Sequence, residues 1–123
     1  MGVDFVSILT PSYFKKRLTD EAMIGYYTDV ADAVSVPLVA YNAPGFTGMT
    51  LTPKVVEVIS RHPNVIGMKD TSKGNMSGYL SVSGDDFDSL SGTVSTLFES
   101  MLLGAKGGVV SLANAFPAPC CEL

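Results

Sequence analysis

Residues 36–69 read VPLVAYNAPGFTGMTLTPKVVEVISRHPNVIGMK. The stretch opens on an apolar strand, Val36 to Tyr41, and stops in the turn residues Asn42, Pro44 and Gly45. It restarts at Thr52-Pro53, where threonine suits the N-cap and proline the first helical position. Val55, Val56 and Ile59 give that helix a buried face, and Arg61-His62-Pro63-Asn64 ends it. Val65 to Lys69 is a second apolar strand. A strand-helix-strand unit with both strands this apolar predicts parallel pairing under a layer of helices.

The alternation continues in both directions. Upstream, Val3 to Thr10 (VDFVSILT) predicts a strand that ends at the breaker pair Thr10-Pro11. A helix follows from Asp20, with Thr19 as N-cap and Asp20 and Glu21 in its positive first turn. Met23, Tyr27, Val30, Ala31 and Val34 share one face of it. Downstream, a short helix is predicted over Met76 to Val82, a strand over Phe87 to Ser91 and a helix over Ser95 to Leu103, stopped by Gly104. Gly108 to Leu112 predicts a fifth strand, and Ala115 to Leu123 is too short to close another unit. The class is therefore α/β. Two architectures fit: an open doubly wound sheet, which the length alone favours, or part of a (β/α)8 barrel, which needs roughly 200 residues or more when complete.

The 123 residues, 46% hydrophobic and 16% charged, suffice for one globular domain over residues 1–123. A net charge of −4 with no basic cluster gives nucleic acid no footprint. No apolar run is long enough to span a membrane, and no signal peptide is read at the N-terminus. The two cysteines are the neighbours Cys120 and Cys121, which fits a reduced, cytoplasmic setting. His62 is the sole histidine and reads as a solvent-exposed loop residue, so no metal-ligand spacing exists.

In either architecture, chemistry gathers where strands end and loops begin. Lys69 closes an otherwise apolar strand at such a point. Partial desolvation there disfavours the ammonium form, and a neutral amine can attack a ketone to form a Schiff base. From position alone, Lys69 reads equally as a lysine reaching into solvent. Tyr41 ends the preceding strand, where a phenol could relay a proton or simply pack on a helix. Gly107-Gly108 lacks the spacing of a dinucleotide-binding glycine motif and reads as a tight turn.

Beyond pattern, Tyr41 to Gly48, YNAPGFTG, resembles the Y-N-x-P-x-x-T-G signature of the dihydrodipicolinate synthase / N-acetylneuraminate lyase family. Gly67 to Thr71, GMKDT, resembles that family's Schiff-base lysine motif, and the spacing between the two agrees. LTPSYF, GNMSGYL, LSG and LGAKGGVVSLANAFP are similar to further family segments in the same order. The resemblance implies a TIM barrel of class I aldolases acting on pyruvate or its adducts, as a homo-oligomer and without metal or organic cofactor. It puts Lys69 on the Schiff-base position, Tyr41 on the proton-shuttling tyrosine and Tyr13 on a supporting tyrosine. Thr71, Gly92 and Val110 fall where the family contacts substrate. Phe46 stands where dihydrodipicolinate synthases usually carry arginine, and Thr93 and Val94 stand where sialic-acid lyases place an acidic pair. The remaining match is to 4-hydroxy-2-oxoglutarate and related sugar-acid aldolases. A receiver-type signalling domain also has five β/α units, but the first strand here ends in Thr10-Pro11 instead of the required acidic pair.

The resemblance also implies that the chain begins at the family's fourth strand, leaving strands one to three, the pyruvate-carboxylate loop and the last helices outside it. The edges at Val3–Thr10 and Gly108–Leu112 would then invite pairing with other chains. The isolated chain is expected to be poorly stable, to self-associate, or to open into a different sheet arrangement. A monodisperse monomer with cooperative thermal unfolding, by light scattering and calorimetry, would contradict that.

Overall fold

The computed structural model describes residues 2–122; Met1 and Leu123, the two ends of the expected domain, lie outside the described residues. Five parallel strands form one sheet: β1 (Val6–Leu9), β2 (Leu38–Asn42), β3 (Val65–Asp70), β4 (Asp88–Ser91) and β5 (Gly107–Gly108). Their spatial order is β1-β2-β3-β4-β5, the order of the chain. A doubly wound sheet reverses direction at a switch point and carries helices on both faces. A sequential order has no such point, and right-handed crossovers put every helix on one side. The open sheet favoured by length alone is therefore wrong. The chain is an arc of a (β/α)8 barrel.

The outer layer runs in the same order. It contains α1 (Asp20–Ala33), α3 (Pro53–Ile59), α4 (Met76–Leu80) and α5 (Val94–Leu103); the one-turn α2 (Pro44–Thr47) lies between β2 and α3, and the short α6 (Pro117–Cys121) packs on the 3₁₀ turn that follows β5. Helix α1 contacts α3, α3 contacts α4, and α4 contacts α5. The predicted caps form: Thr19 Oγ1 accepts from Ala22 N–H at 3.3 Å and Thr52 Oγ1 from Val55 N–H at 3.3 Å. Met23, Tyr27 and Ala31 of α1 and Val55, Val56 and Ile59 of α3 are buried against Leu38 and Ala40 of β2 and Val65 and Met68 of β3. This apolar layer between sheet and helices is the core.

Several boundaries differ from those expected. Strand β1 starts at Val6 rather than Val3, because its first ladder partner is Leu38 and β2 begins there. Strand β5 is only Gly107–Gly108; the apolar residues after it enter a 3₁₀ turn at Ser111–Asn114 instead of extending a strand to Leu112. Val109 still donates to the Ser91 carbonyl at 2.8 Å and Val110 stays extended, so only the end of the run departs from the expected strand. His62 is not a free surface residue. Its side chain is only 16% exposed, Nε2 lies 3.1 Å from Asp32 Oδ1, and Nδ1 accepts from Asn64 N–H at 3.1 Å. Asn64 in turn donates through Nδ2 to the carbonyls of Ala31, Val34 and Val36 at 2.8, 3.3 and 3.1 Å. Those carbonyls belong to the end of α1 and the link to β2, where a helix has unsatisfied acceptors.

Two core tyrosines carry a pH signature. Tyr27 donates to the Ile8 carbonyl at 3.3 Å, and burial pushes its phenol far above the ordinary value. Burial, and then the neighbouring Asp70, push Tyr79 up to about 12. In the unfolded chain both ionise near ~10. Folding therefore favours the neutral phenols, and their contribution is intact below about pH 10 and lost as pH climbs toward the folded values. Tm is expected to stay level up to about pH 10 and fall above it, and Tyr79→Phe should lessen that fall. A wild-type Tm that holds level to about pH 12 would contradict this.

Candidate active site

Side chains alternate across a strand, so consecutive residues at each strand end face opposite ways. In β2, Leu38, Ala40 and Asn42 turn to the helices, while Val39 and Tyr41 turn to the helix-free concave face. In β3, Met68 and Asp70 turn to the helices, while Gly67 and Lys69 turn inward. The parallel register pairs Tyr41 with Lys69, and Lys69 with Leu90 of β4. Lys69 Nζ consequently lies 4.4 Å from the centre of the Tyr41 ring, a cation–π distance.

The concave face forms a trough of 470 Å³ lined by Phe5, Ser7, Val39, Tyr41, Lys69, Leu90 and their neighbours. A second hollow of 430 Å³ adjoins it, lined by Lys69, Gly108, Val110, Ser111 and Asn114. Lys69 lines both, at the carboxyl ends of the strands. Most of the trough wall is apolar, so an amine there sits among few competing polar groups. Asp88 is the carboxylate that lines it.

Gly92 explains why the lysine fits. A Cβ at this position would overlap Thr71 Cγ2 and stand 3.0 Å from the Asp70 carbonyl oxygen and 3.1 Å from Lys69 Cε. Thr71 itself is tied back to β2, donating through N and Oγ1 to the Asn42 carbonyl at 2.9 and 3.0 Å. Lys69, Thr71 and Gly92 thus meet at one point, and Val110, which is buried, shares the second hollow with Lys69. Tyr13 does not join them. It is 90% exposed, packs edge-on to Phe14 at 4.9 Å, and sits in a separate hollow with Lys15, Lys16 and Arg17.

Behind Tyr41 and Lys69 lies a buried polar network that the sequence reading missed. Asn42 Nδ2 donates to Asp70 Oδ1 at 2.7 Å and to the Tyr79 hydroxyl at 3.1 Å. Asn42 Oδ1 accepts from Leu51 N–H at 3.0 Å, and the Tyr79 hydroxyl donates to the Leu51 carbonyl at 2.8 Å. The available signal was parity: both strands end in a polar residue on the side that is otherwise all core.

Comparison with known proteins bears on this arrangement. The family model for the dihydrodipicolinate synthetase family matches residues 1–122. The chain belongs to that family. It is 38% identical over 124 residues to the 4-hydroxy-tetrahydrodipicolinate synthase of Geobacter sulfurreducens, an alignment that covers 99% of this chain and 42% of that protein. Among solved structures, YagE of E. coli K12, a prophage protein of the family in complex with pyruvate, superposes with a TM-score of 0.91 at 30% identity. That superposition covers 98% of this chain and 42% of YagE. The 2-keto 3-deoxygluconate aldolase of Picrophilus torridus gives a TM-score of 0.81 at 34% identity, over 92% of this chain and 41% of its own. The chain therefore spans about 42% of the length of the family members it matches, in agreement with a partial barrel. Among the described residues, no helix is long and apolar enough to cross a membrane, and no group of three acidic, histidine or cysteine side chains could hold a metal.

Gly92→Ala is expected to destabilise the chain by about 1–3 kcal/mol through overpacking. Thr71→Ser, which removes the obstructing methyl, should recover part of that loss in the double variant. Equal denaturation midpoints for wild type and Gly92→Ala would contradict the close approach.

Proposed function

We propose that this chain carries the Schiff-base chemistry of a class I lyase that makes or breaks a carbon–carbon bond between pyruvate and an aldehyde. The observation that carries the reading is the Lys69–Tyr41 pair, 4.4 Å from Nζ to ring centre, at the carboxyl end of the sheet in a mostly apolar trough. The Lys69 amine attacks the ketone carbon of a 4-hydroxy-2-oxo acid, and loss of water leaves a protonated imine. That cation draws in the electron pair of the bond between C3 and C4 as it breaks, leaving an enamine. Tyr41 accepts the 4-hydroxyl proton as the aldehyde departs. Protonation of the enamine at C3 and hydrolysis then release pyruvate and the free lysine. The lysine itself is the electron sink, so the reaction needs no metal or organic cofactor.

Thr71, Gly92 and Val110 surround Lys69 and are assigned to the substrate wall. Tyr13, by its place in the family motif, is assigned a supporting role, which its 90% exposure leaves to a larger assembly. A homo-oligomer in a reducing cytoplasm fits both that exposure and the free Cys120 and Cys121. For the aldehyde half, Phe46 on α2 offers no charge to a second carboxylate. That favours a 4-hydroxy-2-oxo acid of the sugar-acid kind over the substrate of the synthases.

A second reading has its own observation. Phe5 and Val109 at the two sides of the trough are 53% and 50% exposed, an apolar face that an intact barrel would cover. On this reading the chain is a non-catalytic partner of intact family members. Mixing it with one and finding no change in assembly size would exclude it.

Borohydride reduction in the presence of pyruvate tests the first reading. Intact mass and peptide mapping should show one reduced pyruvyl adduct on Lys69. Lys69→Arg should abolish it, while Tyr41→Phe should keep the adduct and slow aldol turnover by roughly 100-fold or more. A folded wild-type sample without adduct, beside a reacting intact family member, would overturn the catalytic reading for this chain.

A further inference from the structure

The buried network behind the lysine contains a group whose chemistry exceeds what packing needs. Asp70 is 3% exposed. Its Oδ1 accepts from Asn42 Nδ2 at 2.7 Å and from Ser72 N–H at 2.9 Å, and its Oδ2 accepts from Ser72 Oγ at 2.8 Å. None of the ion pairs among the described residues includes it. Burying a carboxylate without a cation is costly, and an apolar or amide side chain of similar size would fill the space at less expense.

The location of this acid is what the cost secures. Asn42 and Asp70 are direct ladder partners, as Tyr41 and Lys69 are one residue earlier on the same two strands. Both pairs sit at the last rungs, where a parallel ladder runs out and strand ends fray. The carboxylate grips β2 through Asn42 and the departing loop through both donors of Ser72. Asn42 passes the grip to Leu51 and to Tyr79 of α4. Five groups thus hold the backbone from which Tyr41 and Lys69 project the opposite way. A lysine side chain has four rotatable bonds, so fixing its root is the part of its placement that the backbone can supply.

We propose that Asp70, acting through Asn42, is a positioning residue that holds Lys69 stacked over Tyr41. The proposal deepens the lyase reading, since stacking sets the amine beside the proton-transferring phenol, yet its primary observable needs no substrate. Aromatic ring current shifts the Lys69 ε-methylene protons upfield only while the two side chains are stacked.

The test uses the 123-residue chain with ¹³C-labelled lysine, the Lys69 signal being assigned by its loss in Lys69→Arg. Wild type should show the upfield shift. Asp70→Asn, which keeps the shape and removes the charge and one acceptor, should lose most of it while circular dichroism and cooperative unfolding persist. Ser72→Ala removes one donor and leaves the carboxylate, and should lose a smaller part. Pyruvate trapping at Lys69 should fall roughly 10- to 100-fold in Asp70→Asn. A full ring-current shift in folded Asp70→Asn, or no shift in wild type, overturns the proposal. If Asp70→Asn unfolds, an undiminished shift in Ser72→Ala overturns it instead. Loss of the shift in the variants beside a wild type that never traps pyruvate would leave the positioning role standing and remove the lyase reading.

Discussion

Each strand in this sheet hydrogen-bonds only to its neighbours in sequence, and that pairing decides the rest. Right-handed crossovers between adjacent parallel strands have one side on which to lay their helices. The core therefore forms on that side alone, and the other side becomes a trough. Two-residue alternation then divides every strand into a set that stabilises and a set that faces the trough. Lys69 belongs to the second set because Met68 and Asp70 belong to the first. A one-residue slip of β3 would exchange their roles and bury the amine in the core.

Much of this was visible in the residues. The strands β2 and β3, the capped α1 and α3, and a lysine at a strand end follow from apolar periodicity and from the punctuation at Thr52-Pro53, Asn42 and Pro44. The sheet order did not follow from it, because an open sheet and a barrel arc draw on the same strand-helix pattern. Motif resemblance pointed to the barrel through YNAPGFTG and GMKDT, which carry Tyr41 and Lys69. Legibility also failed at the end of the fifth strand: the ladder ends at Gly108, Val110 stays extended, and the chain turns into a 3₁₀ turn only at Ser111–Asn114. Asn42 was legible only as a turn residue and Asp70 only as part of GMKDT, because their shared role comes from facing each other across 28 residues of chain.

The two faces also differ in how they tolerate change. On the helix side, a methylene more or less is felt by a close-packed layer. On the trough side, Gly67 and Gly92 keep backbones close: a Cβ on Gly67 would strike the Asp88 carbonyl oxygen, just as one on Gly92 would strike Thr71. Small residues there set the floor under Lys69, and larger ones would spread β3 from β4. The site thus depends on missing side chains as much as on present ones.

The amide of Asn64 gives the opposite end of the sheet a different character. One nitrogen serves three carbonyls from α1 and its exit, and His62 braces the same loop against Asp32. That end is a fixed hinge plate, with little slack for insertion. The carboxyl end, by contrast, has an exposed loop tip at 73–75, beyond the buried Ser72. Lengthening that tip would leave the plate undisturbed. Such an arrangement leaves that tip free to vary while the frame that holds the lysine stays the same.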